Sequence, residues 1–100
     1  MAVKVLITRT FKQERLQQAY QLLMELRSSA TLKKGYISGQ TLISADNPNK
    51  LVVVSTWSGR KSWDAWQADE KRKEHAKTMG ELLEAPEQIE VFFAGVQDSD

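Results

Sequence analysis

Apolar and polar residues alternate at the start of the chain. Over 2–9, Val3, Val5 and Ile7 take one parity and Lys4, Leu6 and Thr8 the other. That period of two is the signature of a half-buried strand. Leu6 on the nominally polar side predicts that this second side is partly covered as well. From residue 12 the period lengthens. Leu16, Ala19, Tyr20, Leu23, Leu26 and Ala30 fall on one stripe, Gln13, Glu14, Gln17, Gln21 and Glu25 fall elsewhere, and no Pro or Gly interrupts, so a helix is expected over 12–30. Lys33-Lys34-Gly35 supplies basic residues and a turning glycine at its end. The pattern predicts a second strand over 36–44, with Ile37, Thr41 and Ile43 on one face and Tyr36, Ser38, Gln40 and Leu42 on the other. Ala45-Asp46-Asn47-Pro48-Asn49-Lys50 reads as a turn, and a third strand follows over 51–57. Its first four residues, Leu51–Val54, are apolar at both parities, which implies a sheet covered on both faces.

Residues 57–83 carry the densest chemistry. All three tryptophans, Trp57, Trp63 and Trp66, stand in its first ten positions, and the one histidine, His75, lies nine past the last of them. Trp63 and Trp66 are three apart and share a helix face; Ser58 or Ser62 is the expected cap of that helix. The charged run Asp69–Glu74 predicts a bend or a second helix start. His75, Met79, Leu82 and Leu83 continue as an inward stripe. Ala85-Pro86-Glu87 stops the helical stretch before a last strand over 88–94, where Phe92 and Phe93 must point to opposite faces. Residues 96–100 read as a frayed tail, leaving 1–95 as one domain. The element order is βαββαβ, the split βαβ pattern of an α+β, ferredoxin-like antiparallel sheet. Two helical regions can cover only one face of such a sheet. A second copy packed sheet against sheet would cover the other, so a symmetric homodimer is expected.

Composition narrows the classes. One hundred residues suffice for a single core near the lower end of comfortable size. Lys+Arg 14 against Asp+Glu 13 gives a formal charge of +1, without the basic excess that nucleic-acid binding requires. The absence of cysteine removes disulfides, thiolate metal sites and a cysteine nucleophile. The longest apolar run, Leu51–Val54, is too short to span a bilayer, and residues 1–10 lack the pattern of a signal peptide. No membrane association and a cytoplasmic location are the expectation. There is no glycine-rich phosphate loop, no dinucleotide fingerprint and no His-x-x-x-His pair, and no metal site is expected.

Gly35-Tyr36-Ile37-Ser38-Gly39, Trp57-Ser58, and Trp63-Asp64-Ala65-Trp66 followed by Arg72-Lys73 together resemble the antibiotic biosynthesis monooxygenase family. The resemblance runs from Val3 to about Phe93. It implies a dimeric α+β barrel with a pocket between the sheet and the helices of each subunit. The family includes cofactor-free oxygenases of phenolic polyketides, haem-degrading enzymes and small isomerases, and fold alone does not choose among them. Its haem-degrading members use an Asn on the first strand, a Trp on the second helix and a His shortly after. Trp66 matches the Trp, and His75 comes one position short of the usual spacing. The first asparagine of this chain is Asn47, and Thr8 or Arg9 stands where the strand asparagine would be.

Several side chains are candidates for chemistry. Trp57, Trp63 and Trp66 can line a slot for a flat aromatic ligand, or can simply build a small core. Tyr36 can present its hydroxyl to the same slot. Arg9 and Arg72 suit a carboxylate, phenolate or haem propionate by bidentate hydrogen bonding, against the alternative of solvated surface charge. His75, with Met79 beside it on the stripe, suits a general base or an axial ligand, against that of a histidine hydrogen-bonded at the rim. The leading reading is a cofactor-independent monooxygenase of a small aromatic or polyketide-like molecule, with His75, Trp66 and Arg72 as catalytic residues. The alternatives are a haem-binding, haem-degrading monooxygenase and a non-catalytic dimeric ligand-binding protein.

Overall fold

The first strand is the spine of the sheet. In the computed structural model, which describes residues 1–95, β1 (Val3–Thr10) pairs antiparallel with β3 (Lys50–Trp57) on one side and with β4 (Gln88–Phe93) on the other. Strand β2 (Tyr36–Ile43) flanks β3, giving the order β2-β3-β1-β4. The alternation expected of β1 is realised: Val3, Val5, Ile7 and Arg9 are buried, while Lys4 is exposed. The register sets Val5 opposite both Ser55 and Val91, so one parity of three strands forms a single inner face. The tail expected over 96–100 lies outside the described residues.

Among these residues three helices lie against that inner face: α1 (Leu16–Thr31), α2 (Arg60–Gln67) and α3 (Glu70–Leu82). A 3₁₀ turn over Gln13–Arg15 precedes α1. The buried line of α1 is Ala19, Leu22 and Ala30, with Leu16, Leu23 and Leu26 half-buried. Leu22 replaces Tyr20 in the expected stripe. Tyr20 stands at the rim of the packed arc and is exposed. The break expected in the charged run is present. Helix α2 ends at Gln67, and α3 starts afresh from Asp69, whose carboxylate accepts the Arg72 N–H at 3.0 Å as an N-cap. The serine cap expected for α2 is not formed. Gly59 occupies the N-cap position with no described side-chain cap, and the Ser58 and Ser62 hydroxyls, 3.4 Å apart, face each other beside Gly35.

One irregularity changes which side chains share a face. A bulge at the start of β2 sets Tyr36 opposite Trp57 and Ser38 opposite Thr56, so Ile37 is the extra residue. Tyr36 therefore joins the inner face with Gly39 and Thr41, where strict alternation had separated it from Thr41. Gly39 makes room for it: a Cβ there would stand 2.5 Å from the Tyr36 hydroxyl.

The interior divides into two clusters. Val3, Val5, Ile7, Ala30, Trp57, Trp63 and Trp66 form one, and Phe11, Ala19, Leu22, Leu51, Met79 and Leu82 the other, with Leu26 touching both. Burying one large side chain of this kind contributes roughly 1.5–3 kcal/mol. The opposite face of the sheet is not covered by the described residues. It presents Leu6, Val52 and Val54 half-buried, and Leu42 and Phe92 exposed.

Gly35 is the tightest backbone point. It has φ of 90°, and a Cβ there would collide with the Ser62 side chain. Gly35→Ala should lower stability by about 1–3 kcal/mol, read as a lower urea midpoint. An unchanged midpoint would show that the turn adapts freely.

Candidate functional site

The helix break assembles the site. On one continuous helix, Arg72 would lie about 180° around from Trp63 and about 120° from Trp66. Restarting the helix at Asp69 turns Arg72 back, and its Cζ lies 5.5 Å from the Trp63 ring centroid and 5.8 Å from that of Trp66. Both contacts are within cation–π range. Trp66 stacks on Trp57 at 6.2 Å and 26°, and Trp57 in turn takes Trp63 and Tyr36 edge-on at 6.0 and 5.3 Å. These offset and edge-to-face arrangements suit the ring quadrupoles and fix all four rings relative to one another.

A cavity of about 70 Å³ opens between the sheet and the helices at this end. Its walls are Ile7, Val53 and Trp57 from the sheet, Trp63 and Trp66 from α2, and Leu26 and Ala30 from α1. Its polar groups are Arg9, Arg72, Ser55, Thr41 and the Tyr36 edge. Arg27 Nη2 donates to the Gly39 carbonyl at 2.6 Å, tying α1 to β2 along one side. By volume the space suits about two water molecules.

The electrostatics are lopsided. Arg9, 5 % exposed, donates from Nε to Glu87 at 2.7 Å. Lys33 is matched by Asp69 at 2.8 Å. Arg72, 8 % exposed, has no carboxylate within salt-bridge distance among the described residues. Burial pulls its guanidinium below the ordinary value; Glu87 opposes that shift and Arg9 adds to it. It nevertheless stays charged at neutral pH, as arginine does in proteins. Ser55 accepts a hydrogen bond from Trp57 Nε1 at 3.1 Å, which leaves its own hydroxyl proton free to donate.

Of the residues singled out from the sequence, Tyr36, Trp57, Trp63, Trp66, Arg9 and Arg72 come together around this cavity. His75 and Met79 do not line it. His75 faces α1, with Nε2 3.4 Å from Glu25 Oε2 and with Nδ1 buried and unpartnered among the described residues. Met79 belongs to the other cluster, beside Phe11 and Leu82. No histidine lines the cavity, so the side chain expected as a haem axial ligand is not placed there. Ser55 and Glu87 went unnoticed in the sequence. Ser55 could have been found as the polar residue at an inward position of Leu51–Trp57; for Glu87, following the helix-stopping proline, no local signal existed.

The profile described as antibiotic biosynthesis monooxygenase matches residues 2–78, and the chain belongs to that family. Among solved structures it is similar to a conserved protein from Methanosarcina mazei, with 22% identity, 92% of this chain and 91% of that chain covered, and a TM-score of 0.88. It is similar to Rv0793 from Mycobacterium tuberculosis, with 20% identity, full coverage of both chains and a TM-score of 0.87. It also matches SnoaB, a cofactor-independent oxygenase from Streptomyces nogalater, with 14% identity, 99% and 98% coverage and a TM-score of 0.87. At these identities the likeness shows the fold. No curated protein sequence matches the chain.

Asp69, which caps α3 and so aims Arg72, gives this geometry a pH dependence. The Lys33 hydrogen bond, then the Arg72 N–H, hold its carboxyl below the ordinary 3.8. A folded value below the unfolded one adds stability above the unfolded value and loses it as pH falls through the folded one. Asp69→Asn should therefore lower the urea midpoint at pH 7, and the gap to the unaltered protein should close below about pH 4. A gap that stays constant from pH 7 to pH 3 would contradict this role.

Proposed function

We propose that this protein is a small oxygenase that works on an aromatic, polyketide-like molecule without a metal or organic cofactor. The observation that carries the reading is the cavity itself, walled by three tryptophans and holding one unpaired guanidinium. A deprotonated, electron-rich phenol is the kind of ligand such a site favours. Trp57, Trp63, Trp66 and Tyr36 act as walls, and Arg72 stabilises the anion. The aromatic oxyanion can pass one electron to oxygen, and the resulting radical and superoxide combine into a C–O bond. Protonation gives a hydroperoxide, and loss of water leaves a ketone. For an anthrone the balance is CH₂ plus O₂ giving C=O plus H₂O. The protein need only bind, orient and exclude bulk water. A fused-ring ligand requires a larger space than the resting cavity, and separation of Arg27 from Gly39 would widen it. His75, outside the cavity, is given no role.

We place the active unit as a homodimer of the 1–95 domain, packed through the uncovered sheet face; the exposure of Leu42 and Phe92 beside Leu6, Val52 and Val54 supports this. Absence of any helix long and apolar enough to cross a membrane, among the described residues, agrees with a cytoplasmic setting.

Oxygen uptake in the presence of a chelator, across a panel of anthrones and hydroquinones, tests the activity. Uptake is expected for at least one of them, falling about ten- to a hundredfold in Arg72→Met, as for loss of one charge-assisted hydrogen bond. No uptake across the panel would overturn the reading. Sedimentation equilibrium tests the assembly: a dimer at micromolar concentration, converted to monomer by Val54→Lys. A monomeric unaltered protein would refute it.

A further inference from the structure

The charges that meet at the cavity do not balance. Two buried guanidiniums, Arg9 and Arg72, share one carboxylate, that of Glu87, and Glu87 is bonded to Arg9. The neighbouring Lys33 is already matched by Asp69. Among the described residues one buried positive charge is left over, on the side chain that lies against Trp63 and Trp66 and lines the cavity. An ion removed from water without a partner is costly, and the aromatic faces of the two indoles offset that cost only in part. A second donor lines the same cavity. The Trp57 N–H donates into Ser55 Oγ, which polarises the Ser55 hydroxyl toward donating in turn. The chain thus places a charged fork and a polarised hydroxyl in the lining of one cavity, with no carboxylate paired to the fork among the described residues.

We propose that the cavity selects a ligand with a single negative charge shared over two oxygens, held by Arg72 and by the Ser55 hydroxyl. A carboxylate has that form, and so does the anion of a 1,3-dicarbonyl, its vinylogous equivalent. The guanidinium fork matches two oxygens better than one. A neutral ligand would leave Arg72, the buried charge, unpaired; Arg27 at the cavity edge is exposed and donates to the Gly39 carbonyl. The inference deepens the oxygenase reading and rests on it only in taking this cavity as the ligand site. Within that reading, it narrows the substrate from any phenol to a ring bearing two conjugated oxygens and one charge.

The test is binding, which needs no turnover. Benzoate is compared with benzamide, and the dimedone anion with its neutral methyl enol ether, at pH 7.5, with Trp57 indole N–H resonance and tryptophan fluorescence as readouts. Each anion should bind about tenfold or more tightly than its neutral partner, and the Trp57 N–H signal should move. Which of the two anions binds better distinguishes a carboxylate from a dicarbonyl ligand. Arg72→Met should erase the preference, and Glu87→Gln, by freeing a second positive charge, should strengthen it. If Arg72→Met does not fold, Ser55→Ala decides, since it should weaken both anions and leave the neutral compounds unchanged. Equal affinities within each pair, no binding of either anion, or a preference that survives Arg72→Met (or Ser55→Ala where that variant decides) would overturn the proposal. Oxygen uptake without anion preference would sink this inference alone. Anion preference without uptake would sink the oxygenase reading and leave the inference standing.

Discussion

Arg72 meets the faces of Trp63 and Trp66 because the helix that carries all three is interrupted. Four residues of geometry decide this. The helix stops at Gln67, Asp69 caps a new one, and the third residue of that new helix is Arg72. A continuous helix through 60–82 would send the guanidinium toward the far side from Trp63. The break costs the i−4 hydrogen bonds of Asp69 and of the first N–H groups of α3. The Ala68 N–H keeps its helical bond to the Asp64 carbonyl; the Asp69 N–H turns to the Trp66 carbonyl, and the Asp69 carboxylate takes the Arg72 N–H. Local polar chemistry at the break thus positions a charge inside an aromatic core.

The rest of the structure is arranged around that charge. The strands supply a flat inner wall, in which Trp57 is the common contact of Tyr36, Trp63 and Trp66. Arg9 sits between Ile7 and Phe11 on the inner parity of β1, at the junction of the two apolar clusters, and it is tolerable there because Glu87 reaches it. Arg72 has no such partner among the described residues. The described residues leave two needs unmet: an unpaired cation inside and an uncovered apolar sheet face outside. In the reading argued above, the ligand meets the first and a second subunit the second.

Much of this was legible in the sequence. The strand parities of β1 and β3, the α1 stripe, the break in the charged run and the gathering of the tryptophans all follow from local periods and from the placement of polar runs. What escaped depends on long-range geometry. The bulge at Ile37 that brings Tyr36 to the inner face leaves no trace in the alternation of its own strand. The pairing of Arg9 with Glu87 joins residues far apart in sequence through the register of β1 and the loop before β4. His75 falls on an inward stripe, yet what lies across from it is Glu25 of α1 rather than the cavity. Helical spacing gives the side of a helix and not what lies across from it.

The central claim is a charged, buried and unpaired Arg72 held against two indole rings in the free protein. Proton and nitrogen NMR of the arginine side chains tests it most directly. The Arg72 side-chain protons should be shifted upfield by the Trp63 and Trp66 ring currents, the guanidinium should exchange slowly with water, and an added anionic ligand should move these signals. Random-coil shifts with fast exchange for Arg72 would contradict the account.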